Sequence, residues 1–98
     1  MILNNEDIKK AITNYFKDKP VKRAWLFGSY ARHEADDASD VDVLIDFEED
    51  SGVGLHYLVW HEEIESVVNK KVQVVSNKAL PEYIRPFVEA DRVLVYEK

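Results

Sequence analysis

Apolar residues recur along the chain with two periods, and the alternation between them lays out the elements. Ile8, Ala11, Ile12, Tyr15 and Phe16 follow the i, i+3, i+4, i+7, i+8 spacing of an amphipathic helix. Asn4 or Asn5 would cap it, Glu6 and Asp7 suit its positive end, and Pro20 stops it. Val21 to Phe27 ends in a dense apolar run and reads as a buried strand, broken by Gly28-Ser29. A short helix through about Glu34 is expected next. Val41 to Phe47, β-branched and aromatic with acids alternating at its start, is a second strand.

After Ser51-Gly52 a helix is expected with Leu55, Leu58, Val59, Ile64, Val67 and Val68 on a broad apolar face and Asn69 as a left-handed exit. Lys71 to Ser76 is a third strand, with Val72 and Val74 on one face and Gln73 and Val75 on the other. A turn at Ser76-Asn77 leads to a helix holding Leu80, Ile84, Phe87 and Val88, with Pro81 in its first turn. Arg92 to Tyr96 closes the chain as a fourth strand. The order αβαβαβαβ predicts an α/β (α+β) domain over residues 1–98, one small mixed sheet with helices packed on it. Leu55, Tyr57, Leu58, Val59 and Trp60 cover more than one helical face, and the excess over core packing suggests a partner surface or a homo-oligomer contact.

Charge concentrates the interest. The 98 residues carry thirteen Lys and Arg against nineteen Asp and Glu, a net charge of −6. Nine of those acids lie between Glu34 and Asp50, which has no Lys or Arg, so the other 81 residues carry +3. With no Cys there is no disulfide framework, thiolate zinc site or cysteine nucleophile, which fits a cytoplasmic location. Apolar runs reach about four residues against the ~20 that span a bilayer, and the acidic N-terminus does not read as a signal peptide, so no membrane association is expected. The bases are scattered, which argues against direct nucleic-acid binding.

Within the acidic segment one constellation carries chemistry. Gly28-Ser29 is followed by ten residues and then Asp40-Val41-Asp42. A Gly at a strand end lets backbone approach a ligand, and a following helix N-terminus offers N–H groups to an anion, so Gly28 and Ser29 could cradle a phosphate. Asp40 and Asp42, two apart on a strand, present carboxylates to one side with Cα atoms ~6–7 Å apart. Hard oxygen ligands select Mg²⁺ or Mn²⁺, and Mg²⁺ is typically held by one or two carboxylates plus substrate phosphates. Arg32 is either a phosphate ligand or a surface ion-pair partner. Asp36 and Asp37 read as solvated loop acids. An EF-hand fails at Ala38, Val41 and Phe47, and His61-Glu62 lacks the second His of a zinc-protease helix.

Leu26-Phe27-Gly28-Ser29-Tyr30-Ala31-Arg32 followed by Ser39-Asp40-Val41-Asp42-Val43-Leu44-Ile45 resembles the signature of the polymerase-beta-type nucleotidyltransferases, specifically the minimal nucleotidyltransferases, over nearly the whole chain. The resemblance implies the nucleotidyltransferase fold and transfer of a nucleoside monophosphate, usually AMP from ATP, with two divalent ions. It also implies a small helical HEPN-type toxin as partner, adenylylated by the nucleotidyltransferase as antitoxin. Asp40 and Asp42 would hold the metals, with Gly28, Ser29 and Arg32 at the phosphates.

Two positions depart from the family pattern. His33 stands where Gly commonly follows the Arg. Gln73 stands where the third strand normally carries a third carboxylate that helps bind the catalytic metal and activate the attacking hydroxyl. Gln offers a carbonyl oxygen but no charge and no site for a proton. One unit charge ~4 Å from a cation is worth up to ~4 kcal/mol at an effective dielectric of 20. Asp46, four residues beyond Asp42 on the same face, would lie ~13 Å away, too far to replace it. Nothing requires Glu48, Glu49 or Asp50 to fold back. An inactive relative that still binds nucleotide and partner is the second reading, and an acidic decoy in which Asp36, Asp37, Glu48 and Glu49 matter equally is a third.

Overall fold

The structure is a computed structural model that describes residues 5–36, 38–48 and 56–98. A four-stranded mixed sheet runs in the order β3-β2-β1-β4, from β1 (Val21–Phe27), β2 (Val41–Phe47), β3 (Val72–Ser76) and β4 (Val93–Glu97). β1 pairs antiparallel with β2 and β4, whereas β2 and β3 are parallel. Three helices, α1 (Asn5–Phe16), α2 (Trp60–Val68) and α3 (Arg85–Asp91), complete it. Central position explains the β2 sequence: Val41, Val43, Leu44 and Ile45 are all fully buried because both faces of the strand are covered.

The helical stripe of α1 behaves as its period requires. Ile8, Ile12 and Phe16 are fully buried, with Ala11 and Tyr15 packed beside them. They meet Val21, Ala24 and Leu26 of β1, Val41, Val43 and Ile45 of β2, and Ile64 and Val68 of α2 in the larger core. Trp60 locks the two helices together through edge contacts to Tyr15 and Phe16, at ring-centroid distances of 6.3 and 5.9 Å. A smaller core on the other face joins Trp25 and Leu44 to Leu80 and to Val88 of α3. Alternation along β1 and β2 feeds both. No helix among the described residues is long and apolar enough to cross a membrane.

Several boundaries differ from the sequence expectation, each for a local reason. The expected helix between β1 and β2 does not form. Gly28 and His33 both take left-handed backbone, at φ 76° and 60°, which leaves one turn between them, too little to repay helix nucleation. The order is therefore αββαβαβ. Leu58 and Val59 sit on a 3₁₀ turn (His56–Val59) before α2, and both are more than half exposed, as is Val67; only Trp60, Ile64 and Val68 of that helix are buried. Asn69 ends α2 in the left-handed conformation, at φ 59°. α3 begins at Arg85, so the first-turn proline is Pro86, while the Pro81 carbonyl accepts the Ile84 and Arg85 N–H groups in the preceding turn. Phe87 is largely exposed. The expected contributions of Asn4, the Asn5 side chain, Asp37, Glu49, Asp50, Ser51, Gly52 and Leu55 lie outside the described residues.

Candidate active site

Strand pairing brings the two sequence motifs together. Phe27, the last residue of β1, is the partner of Asp42 in β2, so Gly28 leaves the sheet directly beside the Asp42 carboxylate. A Cβ on Gly28 would collide with Asp42 Oδ2. The glycine is thus required twice, by its left-handed φ and by this approach. From Gly28 the chain closes a single turn: the N–H groups of Arg32, His33 and Glu34 donate to the carbonyls of Gly28, Tyr30 and Ser29. The N–H groups spent there lie downstream of Ser29. A phosphate would meet this turn, without the dipole of a full helix.

The return to β2 is also built locally. Asp36 Oδ1 accepts the Ala38 N–H at 2.9 Å, and the Asp36 N–H donates to Ser39 Oγ at 2.9 Å, a side-chain-closed turn that delivers Asp40 to the start of the strand. Asp36 therefore has a structural role of its own. Asp40 and Asp42 are both partly buried. Burial, with the Asp40 charge second, pushes the Asp42 carboxyl up to about 6, while Arg32 pulls it the other way. A carboxylate whose charge is disfavoured by burial and by an acidic neighbour is a place that a cation relieves. Among the described residues no three His, Asp or Glu side chains gather to hold a metal. The parallel register makes Gln73 of β3 the neighbour of Asp42, so two carboxylates and one amide stand at this end of the sheet. Such a set suits a hard divalent cation whose remaining ligands come from substrate phosphates and water.

Arg32 makes two ion pairs, Nη1 to Asp91 Oδ2 at 2.6 Å and Nε to Glu34 Oε2 at 3.0 Å, which tie the Gly28 turn to the end of α3. These contacts are the ion-pair role that the sequence leaves open for it beside that of a phosphate ligand. Asp46 points into a different network: Asn77 Nδ2 donates to Asp46 Oδ1 at 3.0 Å, and Arg85 Nη1 donates to Asn77 Oδ1 at 3.0 Å. Glu48 pairs with Lys98. Neither reaches the Asp40–Asp42 end of β2.

One feature lay beyond sequence reasoning. A groove of about 560 Å³ runs along β3, lined by Leu58, His61, Glu62, Glu65, Lys71 and Gln73 among others. Glu65 Oε2 accepts the Val72 N–H at 3.0 Å and lies 3.3 Å from His61 Nδ1. The Val72 N–H, with His61 second, holds the Glu65 carboxyl below the usual range. The i, i+4 spacing of His61 and Glu65 was a local signal, but their placement beside β3 is tertiary.

The family model described as polymerase beta, nucleotidyltransferase matches residues 10–98. A Methanocaldococcus jannaschii protein described as a candidate protein adenylyltransferase is 36% identical over 92 residues, covering 94% of this chain and 92% of its own. The protein adenylyltransferase MntA of Thermococcus cleftensis is 33% identical over 98 residues, covering 96% and 98%. Among solved structures, a chain from the complex of tri-AMPylated Shewanella oneidensis HEPN toxin with MNT antitoxin superposes with a TM-score of 0.71 at 15% identity, over 93% of this chain and 71% of that one, a likeness of fold. With the Gly-Ser turn set against the paired carboxylates, the chain belongs to the polymerase beta nucleotidyltransferase family.

Proposed function

We propose that this chain transfers AMP from ATP to a hydroxyl of a protein partner, a small helical HEPN-type toxin, and so acts as its antitoxin. Membership of the family implies a nucleotide substrate and a divalent metal in general. The names of the relatives support a protein acceptor, and the toxin–antitoxin neighbour supports the partner class. The observation that carries the reading is the approach of the Gly28 backbone to the Asp42 carboxylate, close enough that any side chain there would collide with it, which sets the Gly-Ser turn directly beside the acidic pair.

In this reading Gly28 and Ser29 hold phosphate oxygens. Asp40 and Asp42 would hold Mg²⁺ or Mn²⁺, and the Gln73 carbonyl oxygen could add a weak ligand. A divalent cation bound there supplies neutralisation of the triphosphate charge. Arg32 acts as a positioning residue, because its pairs to Asp91 and Glu34 fix the turn. The acceptor oxygen forms a bond to the α-phosphorus, the bond from that phosphorus to the pyrophosphate oxygen breaks, and pyrophosphate departs. The acceptor proton passes to solvent, since Gln73 cannot take it.

Gln73 favours a second reading, in which the protein binds nucleotide and partner stoichiometrically without transfer. Intact-mass spectrometry of the partner after incubation with this chain, ATP and Mg²⁺ separates the two. Transfer adds one or more AMP-sized increments in the wild type and none with Asp42→Ala. No increment with the wild type, alongside modification by Gln73→Asp, establishes the second reading.

A further inference from the structure

The direction of the hydrogen bonds in β3 defines what its free side offers. Lys71 C=O accepts the Val41 N–H at 2.9 Å and so faces β2. The Val72 N–H points the opposite way, to Glu65 Oε2. Backbone alternation then places the Val72 C=O, the Val74 N–H and C=O, and the Ser76 N–H on the outer edge. Among the described residues nothing bonds to them. β3 reads Val-Gln-Val-Val-Ser and carries none of the charges, prolines or bulges that usually blunt an edge strand. At the other edge of the sheet α1 packs against β4, where Thr13 Oγ1 donates to the Val95 C=O at 3.0 Å.

This open edge belongs to the site's own neighbourhood. Gln73 is the register neighbour of Asp42, so a strand added to β3 would lie two strand spacings, about 10 Å, from the Asp42 backbone. The groove beside it is walled by Leu58, His61 and Glu62. Glu65 is balanced by His61 and Lys71, whereas Glu62 has no ion pair among the described residues. Glu65 also sets the start of any pairing, because the Val72 N–H is already taken.

Resting on the transfer reading above, we propose that the acceptor protein docks an extended segment as a fifth strand on the outer edge of β3, from Val74 onward. Its hydroxyl-bearing side chain stands on the Gln73 face. Its opposite face sets an apolar residue over Leu58 and Val74 and a basic residue against Glu62. Main-chain bonds supply affinity, and the two side-chain positions supply selection.

Val74→Pro removes an outward donor while leaving the β2 ladder intact, a position where an edge strand tolerates proline. Val74→Ala controls for the side chain. With the purified HEPN-type partner as acceptor, Val74→Pro should raise its KM at least tenfold over Val74→Ala, with unchanged ATP affinity in Mg²⁺. Equal KM values in a folded Val74→Pro protein overturn the proposal. Amide exchange of the wild type gives a second readout: the partner should slow exchange at Val74 and Ser76, and no slowing overturns the docking site. This readout needs no turnover, so protection without AMP transfer sinks the transfer reading and leaves the docking surface standing. Concentration-dependent protection without partner, with a dimer by light scattering, assigns the edge to a second copy of this chain and contradicts the proposal.

Discussion

Gln73 and Asp42 are direct neighbours across the parallel β2–β3 ladder, with Gly28 closing against the other side of the Asp42 carboxylate. Asp42 thus sits between a residue with no side chain and one with no charge. The first lets the Gly-Ser turn close directly against the carboxylate. The second removes a negative charge that would otherwise raise the cost of ionising Asp42 still further, and with it a ligand for a cation.

Restoring that charge should change rate and stability in opposite directions. Gln73→Asp should raise AMP transfer or Mg²⁺ affinity about 10- to 100-fold, the part of the Coulomb interaction that survives solvent compensation. The metal-free protein should lose about 1 kcal/mol, because a third carboxylate faces Asp40 and Asp42. Transfer kinetics and urea unfolding, each with and without Mg²⁺, check this.

Asp42 makes the metal-free stability depend on pH. Its folded pKa of about 6 lies above the unfolded value of 3.8. The folded protein therefore binds more protons than the unfolded chain between about pH 4 and pH 6, and stability falls as pH rises through that window. Discounted for its partial exposure, the loss is about 1 kcal/mol. Asp42→Asn should recover it at pH 7 and flatten the slope, and saturating Mg²⁺ should flatten it in the wild type. Unfolding midpoints from pH 4 to 8 measure both.

Gly28→Ala should cost about 1–2 kcal/mol through the left-handed backbone alone. The new methyl also displaces the Asp42 carboxylate. ATP affinity in Mg²⁺ should fall at least tenfold by calorimetry while circular dichroism stays native.

Trp60→Ala should destabilise by about 3–5 kcal/mol, since Trp60 is nearly fully buried among Phe16, Tyr15 and Phe47. In the fraction that remains folded, nucleotide affinity should be unchanged, because the Gly28–Asp42 contact does not pass through this cluster. Thermal unfolding and calorimetry on the same sample separate the two.

The residues that declared themselves in the sequence are those whose neighbours are local. The stripe from Ile8 to Phe16, the buried run at the end of β1 and the left-handed Asn69 each follow from periodicity, apolar composition or a single backbone preference. The Gly28-Ser29 and Asp40–Asp42 motifs could be joined through the chemistry of phosphate and metal and through a spacing that resembles a family pattern; the pairing of Phe27 with Asp42 is the physical reason they meet. The helix expected after Gly28 fails because His33, standing where the family pattern has Gly, takes the left-handed conformation that a Gly adopts freely. The expectation of Pro81 in the first turn overlooks Pro86, which a helix opened at Pro81 would carry in its interior; α3 starts at Arg85 and places Pro86 in its first turn instead. The pair of Arg32 with Asp91, 59 positions away, and the bond of Glu65 to the β3 edge leave no trace in local pattern.

The most direct test of the paired-carboxylate site is transfer of label from [α-³²P]ATP to the purified HEPN-type partner, comparing wild type with Asp42→Asn, a nearly isosteric change that removes only charge. Label should appear on the partner with the wild type in Mg²⁺ and fall at least a hundredfold with Asp42→Asn. Equal labelling by the two proteins would contradict a reaction centred on Asp40 and Asp42.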